Sequence, residues 1–201
     1  MRAMSVSGSD LTTPVLLMAM PQVLDPFFHR SVVLLLHHEE AGSFGFIVNR
    51  PTGIKVSEIL KGMDVSWSGR DEAVAFFGGP VQPQLGTVLF APVLDETDPE
   101  DSATEVIPGV ALTQHIGDLS RLAEAPPDQF RLILGYAGWG EGQLMEEILR
   151  NDWLTAPVSS DLIFASDPEE VWGAALRSVG IDPAALPSWI PGGGGSEESA
   201  N

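Results

Sequence analysis

Three side chains near the start of the chain have the residue types of a hydrolase: Asp25, His29 and Ser31. A serine nucleophile needs a base to take its proton, and the base needs a carboxylate to orient it. His29 and Ser31 are two residues apart, so on a strand they point to the same side. However, no Gly-x-Ser-x-Gly turn exposes Ser31. A hydrolase or transferase that uses these three residues is therefore the alternative hypothesis.

A second polar group, His37 to Glu40, offers two imidazoles and two carboxylates, which are ligands that zinc and iron accept. Adjacent residues of a strand face opposite sides, so these four side chains cannot all meet one ion. Glu146 and Glu147 are interpreted as a solvated helix face, because Glu146 and Arg150 have the spacing of an ion pair. We expect no metal site, no cofactor and no catalytic residue, and the sequence favours a protein that is not an enzyme.

Asn49 and Arg50 stand directly before Pro51, at the predicted end of a strand. A guanidinium at this place would present a bidentate donor at the sheet edge, suited to a carboxylate or a phosphate. The competing interpretation is an ion pair between Arg50 and one of the many acidic side chains of the chain.

The stretch from Leu132 to Leu144 runs from a buried-looking strand through a glycine-rich turn into a helix. Its glycines, at 135, 138, 140 and 142, indicate positive φ angles or close approach of the backbone. The close approach would serve either an anion at the helix N-terminus or the packing of Tyr136 and Trp139 over bare backbone. The stretch matches neither the P-loop nor the dinucleotide-binding fingerprint.

The predicted ligand-binding set combines residues of the strand end, the glycine-rich turn and a third turn-forming segment, Gly78-Gly79-Pro80. Its members are Asn49, Arg50, Gly78, Gly79, Gly138, Trp139, Gly140, Gly142 and Gln143. We expect this set to bind a small anion or a protein partner.

Strands and helices must position these residues, and they do not alternate strictly. Several predicted strands follow one another without a helix, which indicates an α/β domain of mixed (α+β) type. It would be a single compact domain, a mixed, partly antiparallel sheet packed by helices. Ser57 is expected to cap a helix over 54–60, and Asp167 with Glu170 to form the capping box of a helix ending at Gly180. The predicted strands are 15–20, 31–36, 45–48, 73–77, 87–90, 110–113, 130–134 and 161–164.

Length and charge limit the function. A chain of 201 residues suits one domain, here expected over 14–190, with a flexible N-terminus at 1–13 and a disordered tail at 191–201. Ten basic against 28 acidic side chains give a formal charge of -18, which disfavours direct nucleic-acid binding. No apolar run approaches the ~20 residues of a membrane helix. Cysteine is absent and the N-terminus lacks the apolar core of a signal peptide, so we expect a cytoplasmic protein.

Five motifs in one order resemble the AlgH/YqgE family of small bacterial proteins. They are Asp25–Val33, Gly45–Pro51, Gly78–Gln82, Gly135–Leu144 and Asn151–Leu154, and the similarity spans about Pro14 to Leu186. The resemblance implies a compact mixed α/β fold, a cytoplasmic location and a link to the regulation of alginate production through transcription. It brings no enzyme activity and no catalytic residues. The acidic loop Asp95–Asp101 and the tail are the departures, and neither offers a basic DNA-recognition helix. The leading hypothesis is therefore a non-enzymatic regulatory or binding protein that acts indirectly on transcription.

Overall fold

The computed structural model describes residues 11–91 and 103–187. The predictions for 1–13, 95–101 and 191–201 lie largely or wholly outside these residues and stay predictions. The strands of the described part are β1 (Val15–Ala19), β2 (Val32–Glu39), β3 (Gly42–Ile47), β4 (Pro51–Lys55), β5 (Val74–Phe77), β6 (Val81–Phe90), β7 (Thr104–Ile107), β8 (Val110–Thr113), β9 (Phe130–Trp139) and β10 (Trp153–Ala156). The helices are α1 (Val56–Lys61), α2 (Ile116–Glu124), α3 (Gln143–Leu149), α4 (Ser160–Ile163) and α5 (Val171–Ser178), with a 3-10 turn at Pro183–Ala185.

The strands form one curled sheet in the order β10-β1-β2-β3-β9-β6-β8-β7, and β4 and β5 attach beside β9. Every pairing is antiparallel except that of β5 with β9. The prediction of a mixed sheet with helices is confirmed in this broad form. The sheet, however, dominates the fold and is mostly antiparallel.

Strand β1 and residues 32–36 of β2 are apolar because both of their faces are covered. Alternate side chains of β1 enter different clusters: Leu16 joins the one closed by Trp172 and Leu176 of α5, and Leu17 joins the one closed by Leu144 of α3. A third cluster packs α1 and α2 against β5, β6, β8 and β9. The helices therefore cover both faces of the sheet.

The centre of the fold is a crossing of the chain over β9. Strand β5 pairs with one side of β9 and β6 with the other, so residues 78–80 must pass from one side to the other. The crossing point is Gly135, where β9 bends through a φ of +70°. A Cβ on Gly79 would lie 2.2 Å from the backbone of Tyr136, and one on Gly135 would lie 2.5 Å from the carbonyl oxygen of Gly79. Backbone can cross backbone here because neither residue has a side chain.

Several local predictions are wrong. Residues 161–164, predicted as a strand, lie at helix α4 and its C-terminus. Ser57 does not cap α1, whose N-cap is Lys55, and α5 starts at Val171 without a side-chain cap. Asp167 instead accepts a hydrogen bond from the backbone N–H of Glu169, at 3.0 Å, in the turn before α5. The short strands β4, β7 and β10 were not predicted.

Candidate functional site

The glycine turn leads into a hydrogen-bond network centred on Glu147 of α3. Its carboxylate oxygen Oε2 accepts from the indole Nε1 of Trp139 at 2.9 Å and from that of Trp153 at 2.7 Å. Its Oε1 accepts from Nε2 of Gln143 at 2.9 Å, and Oε1 of Gln143 accepts from the backbone N–H of Gly140 at 3.0 Å. The turn, the helix and strands β9 and β10 are therefore joined through one carboxylate.

This network gives the tryptophans a structural role. Trp139 and Trp153 are almost fully buried and meet edge to face with ring centroids 5.7 Å apart, and Phe28 packs against both. An indole N–H that is buried needs an acceptor, and Glu147 supplies it for both rings. Glu147 is thus more than the solvated helix face predicted from the sequence. Arg150, expected to pair with Glu146, pairs with Asp152 at 2.9 Å.

Asn49 and Arg50 hold the turn that contains Phe28. Oδ1 of Asn49 accepts from the N–H of Val32 at 2.8 Å, and its Nδ2 donates to the carbonyl of Arg30 at 3.0 Å. The Arg50 guanidinium donates to the carbonyls of Pro26 and His29, each at 2.7 Å. Burial lowers the pKa of Arg50, and the charge of Asp25 opposes that shift. Nη1 and Nη2 of Arg50 are thus engaged with backbone carbonyls, and among the described residues Arg50 forms no ion pair with an acidic side chain.

We expect Arg50→Lys to destabilise the protein by about 1–2 kcal/mol, because an ammonium cannot reproduce two parallel hydrogen bonds from one planar group. Urea unfolding followed by circular dichroism would measure the change in the free energy of unfolding. Arg177→Lys is the matched control, since Arg177 makes only an exposed ion pair with Glu170 at 3.6 Å. Equal stabilities of the two variants would contradict the role assigned to Arg50.

Asp25, His29 and Ser31 lie in the same turn, where the backbone N–H of His29 donates to the carbonyl of Asp25 at 2.8 Å. Among the described residues, however, no hydrogen bond joins the three side chains. Oδ1 of Asp25 accepts from the backbone N–H of Phe27 at 2.8 Å, and Nδ1 of His29 lies 3.2 Å from the carbonyl of Val23. Ser31 is fully buried, and its Oγ has no hydrogen-bond partner among the described residues. A nucleophile sealed from solvent and out of reach of its base gives the hydrolase alternative no geometric support.

A cavity of about 590 Å³ lies beside the glycine turn, and we call it the aromatic groove. The ring of Phe44 stacks on His37 at a centroid distance of 5.8 Å and meets Phe46 and Tyr136 edge to face at 6.3 and 6.2 Å. Phe44 keeps 39 % of its surface exposed. The groove is lined by His37, Ala41, Gly42, Ser43, Phe44, Phe46, Val81, Leu85, Gln114, Tyr136, Gly138 and Trp139.

Gly138 opens this groove. It is the cross-strand partner of Phe44, so a side chain on Gly138 would share the face of the sheet that carries the Phe44 ring. A Cβ there would touch the Tyr136 ring at 3.4 Å and Val81 at 3.8 Å. These are ordinary contact distances, so the space over Gly138 is room that a larger residue would fill.

The structure thus divides the predicted ligand-binding set into four places. Gly138 and Trp139 line the aromatic groove, and Gln143 with Gly140 and Gly142 belongs to the turn below Glu147. Asn49 and Arg50 hold the 25–31 turn, and Gly78 and Gly79 form the crossing over β9. Sequence reasoning missed Phe44, whose only signal is an apolar residue in a strand between two glycines. It also missed Glu147, which stands four residues after Gln143 and hence on the same helix face.

Residues 11–91 and 103–187 contain no group of three or more metal-ligating side chains close enough to hold an ion. Within the same two segments, no helix has the length and apolarity needed to cross a membrane.

The fold and the cavity define a class: a small α+β protein built on a curled antiparallel sheet, with an aromatic groove beside a glycine-rich turn. The model of the AlgH-like family (DUF179) matches residues 16–184, and the chain belongs to this family. A UPF0301 protein from Myxococcus xanthus is 40% identical over 174 residues, covering 86% of this chain and 93% of the relative. One from Anaeromyxobacter dehalogenans is 37% identical over 195 residues, covering 92% and 94%.

Two solved structures share the fold. The solution structure of the AlgH protein from Pseudomonas aeruginosa superposes with a TM-score of 0.69 at 32% identity, covering 90% of this chain and 94% of the other. A crystal structure of a Corynebacterium diphtheriae protein gives a TM-score of 0.66 at 24% identity, covering 82% and 85%. The resemblance inferred from the five motifs is therefore confirmed.

Proposed function

We propose that this chain is a non-enzymatic binding protein whose aromatic groove takes up a small, uncharged, apolar molecule. The observation that supports it is the groove itself. Its volume of about 590 Å³ is within the range of small-molecule sites, and rings or aliphatic side chains form much of its lining. The described residues that line it include no Asp, Glu, Lys or Arg. A charged ligand would therefore find no fixed counter-charge there.

Binding rather than catalysis is favoured by the chemistry of the site. The serine of the groove, Ser43, does hydrogen-bond a histidine, with its Oγ 2.7 Å from Nδ1 of His38. Among the described residues, however, no carboxylate hydrogen-bonds that imidazole, as a catalytic triad would require. The proposed regulatory role is the one that the family resemblance implies. The charge of -18 favours an indirect action on transcription over contact with DNA, and the proposal places the protein in the cytoplasm.

A small anion at the glycine turn is the weaker candidate. Glu141, Glu146 and Glu147 surround the start of α3, so an anion would meet like charges. The adjacent cavity of about 390 Å³ adds Asp25 and Asp152, while its one arginine, Arg150, already pairs with Asp152.

Ligand-observed NMR with indole, phenol and cyclohexanol tests the groove. We expect saturable binding by the wild-type protein and about tenfold or more weaker binding by Phe44→Ser, because an apolar wall is lost. Gly138→Val should abolish binding by filling the groove, while Gly140→Val should leave it unchanged.

Phe27→Ser is the matched control for Phe44→Ser, since Phe27 is 47 % exposed and lies outside the groove, stacked on Phe77 at 5.6 Å. Equal affinities of Phe44→Ser and Phe27→Ser, or no binding of any probe by the wild type, would contradict the proposal. In the second case an apolar side chain of a protein partner becomes the better occupant of the groove.

A further inference from the structure

Arg131 is a charged residue in the interior of the protein. It is the one charge in the apolar run 130–134 of β9, and only 5 % of its surface is exposed. Its guanidinium lies over the ring of Phe76, 4.1 Å from the centroid. Nη1 donates to the carbonyl of Val48, and Nη2 donates to that of Ala165 at 2.6 Å.

These contacts leave the charge of Arg131 without a counter-ion. No ion pair to Arg131 is found among residues 11–91 and 103–187. Burial lowers the pKa of Arg131 to about 10, so the group remains a cation at neutral pH. A buried cation that lacks an anionic partner is costly, because it has lost its hydration without regaining an equivalent attraction.

The guanidinium retains donors for a further partner. Only two of its five N–H groups have partners, and Nε makes no hydrogen bond with the described residues. Among the described residues, Oγ of Ser31 is the one fully buried side-chain nitrogen or oxygen atom that lacks a hydrogen-bond partner, so Nε of Arg131 is not such an atom. Arg131 is one of the residues that line a cavity.

That cavity is separate from the aromatic groove and measures about 430 Å³. Arg70 also lines it, and Phe76 and Phe130 supply apolar walls. The acidic side chains of the lining are Glu72 and Asp128, so the charges of the four ionised groups cancel. None of these four groups forms an ion pair with a described residue.

We propose that this cavity binds a small carboxylate, whose oxygens accept hydrogen bonds from Arg131 and are further neutralised by Arg70. A planar carboxylate matches the geometry of a guanidinium. A single negative charge also fits better than the near double charge of phosphate, because Glu72 and Asp128 would repel the latter more strongly. Bound there, the carboxylate would supply the counter-charge that Arg131 lacks.

The test is an NMR titration that follows the Nε–Hε signal of Arg131, with acetate as the probe and sodium chloride holding the ionic strength constant. We expect a saturable shift with acetate and none with chloride. Arg70→Gln should weaken acetate binding by about tenfold, the loss of one charge-assisted contact. Arg150→Gln, which removes a positive charge at a different cavity, should leave the affinity unchanged.

Arg131→Met should lose acetate binding altogether, detected through the backbone signal of Ala165. Arg131→Met also loses two hydrogen bonds to carbonyls, so it could fail to fold. Arg70→Gln does not carry this risk, because Arg70 is exposed and its side chain makes no hydrogen bond with the described residues. The proposal is overturned by a non-saturating response to acetate, by saturation with inorganic phosphate alone, or by equal affinities of Arg70→Gln and Arg150→Gln.

Discussion

Gly135→Ala should cost at least about 4 kcal/mol of the free energy of unfolding, or prevent folding altogether. The new methyl group would lie 2.5 Å from the carbonyl oxygen of Gly79 and 3.0 Å from that of Val81. Both are backbone atoms, so no side-chain rotation can relieve the clash. The crossing segment would have to move away from β9, and the pairings of β5 and β6 with that strand would be lost together.

Gly142→Ala is the matched control. Gly142 has a φ of +68°, against +70° for Gly135, but a Cβ on Gly142 would meet no atom within 4 Å. The two substitutions therefore share the cost of a left-handed backbone, about 1–2 kcal/mol, and differ only in the clash. Urea unfolding followed by circular dichroism measures both. Similar losses of stability in the two variants would mean that the backbone crossing tolerates a side chain, contrary to the geometry.

The contrast between these glycines shows what the sequence alone could provide. The density of glycine over residues 135–142 correctly indicated positive φ angles, at Gly135 and Gly142, and close backbone approach, at Gly135. The sequence offered two explanations for the close approach, a bound anion and an aromatic ring. Neither applies to Gly135, because the group that approaches it is another stretch of backbone. That partner, Gly79, stands 56 positions earlier, and the contact follows from how the strands pair.

The strands differ in how well they could be predicted for a similar reason. Strands β1 and β2 lie inside the sheet and are covered on both faces, so their apolar runs are unbroken and were recognised. Among the described residues β10 pairs only with β1, and β4 contains Pro51 and Gly53. Such edge strands carry little hydrophobic pattern. Residues 161–164 show the opposite failure, because a short apolar run does not distinguish a strand from a buried helix.

Within the candidate site, the sequence was better at indicating which residues are used than at indicating what each of them does. Trp139 and Gly138 were selected from the sequence, and both line the aromatic groove. Asn49 and Arg50 were selected for their donors, and the structure directs those donors to backbone carbonyls. A polar side chain at a strand end satisfies the nearest unpaired backbone group as readily as a ligand does. Only the three-dimensional structure distinguishes the two uses.

Glu147→Ala should destabilise the protein by about 2–3 kcal/mol, because it removes the acceptor shared by two buried indole N–H groups. Trp139 and Trp153 keep only 6 % and 4 % of their surfaces exposed, so water replaces the carboxylate poorly. Gln143 would lose its partner as well, and the glycine turn that it braces through Gly140 would loosen. Urea unfolding gives the change in stability, and a red shift of the tryptophan emission would report the greater polarity around the rings.

Two further variants separate hydrogen bonding from charge. Glu147→Gln keeps an oxygen that can accept from the indoles but removes the negative charge, so its loss should be about half that of Glu147→Ala. Glu146→Ala removes the neighbouring exposed carboxylate from the same helix and should change stability by no more than about 0.5 kcal/mol. If Glu146→Ala cost as much as Glu147→Ala, the effect would belong to the charge of α3 as a whole. A specific loss at Glu147 would instead identify this carboxylate as the group that holds the tryptophan pair beside the aromatic groove.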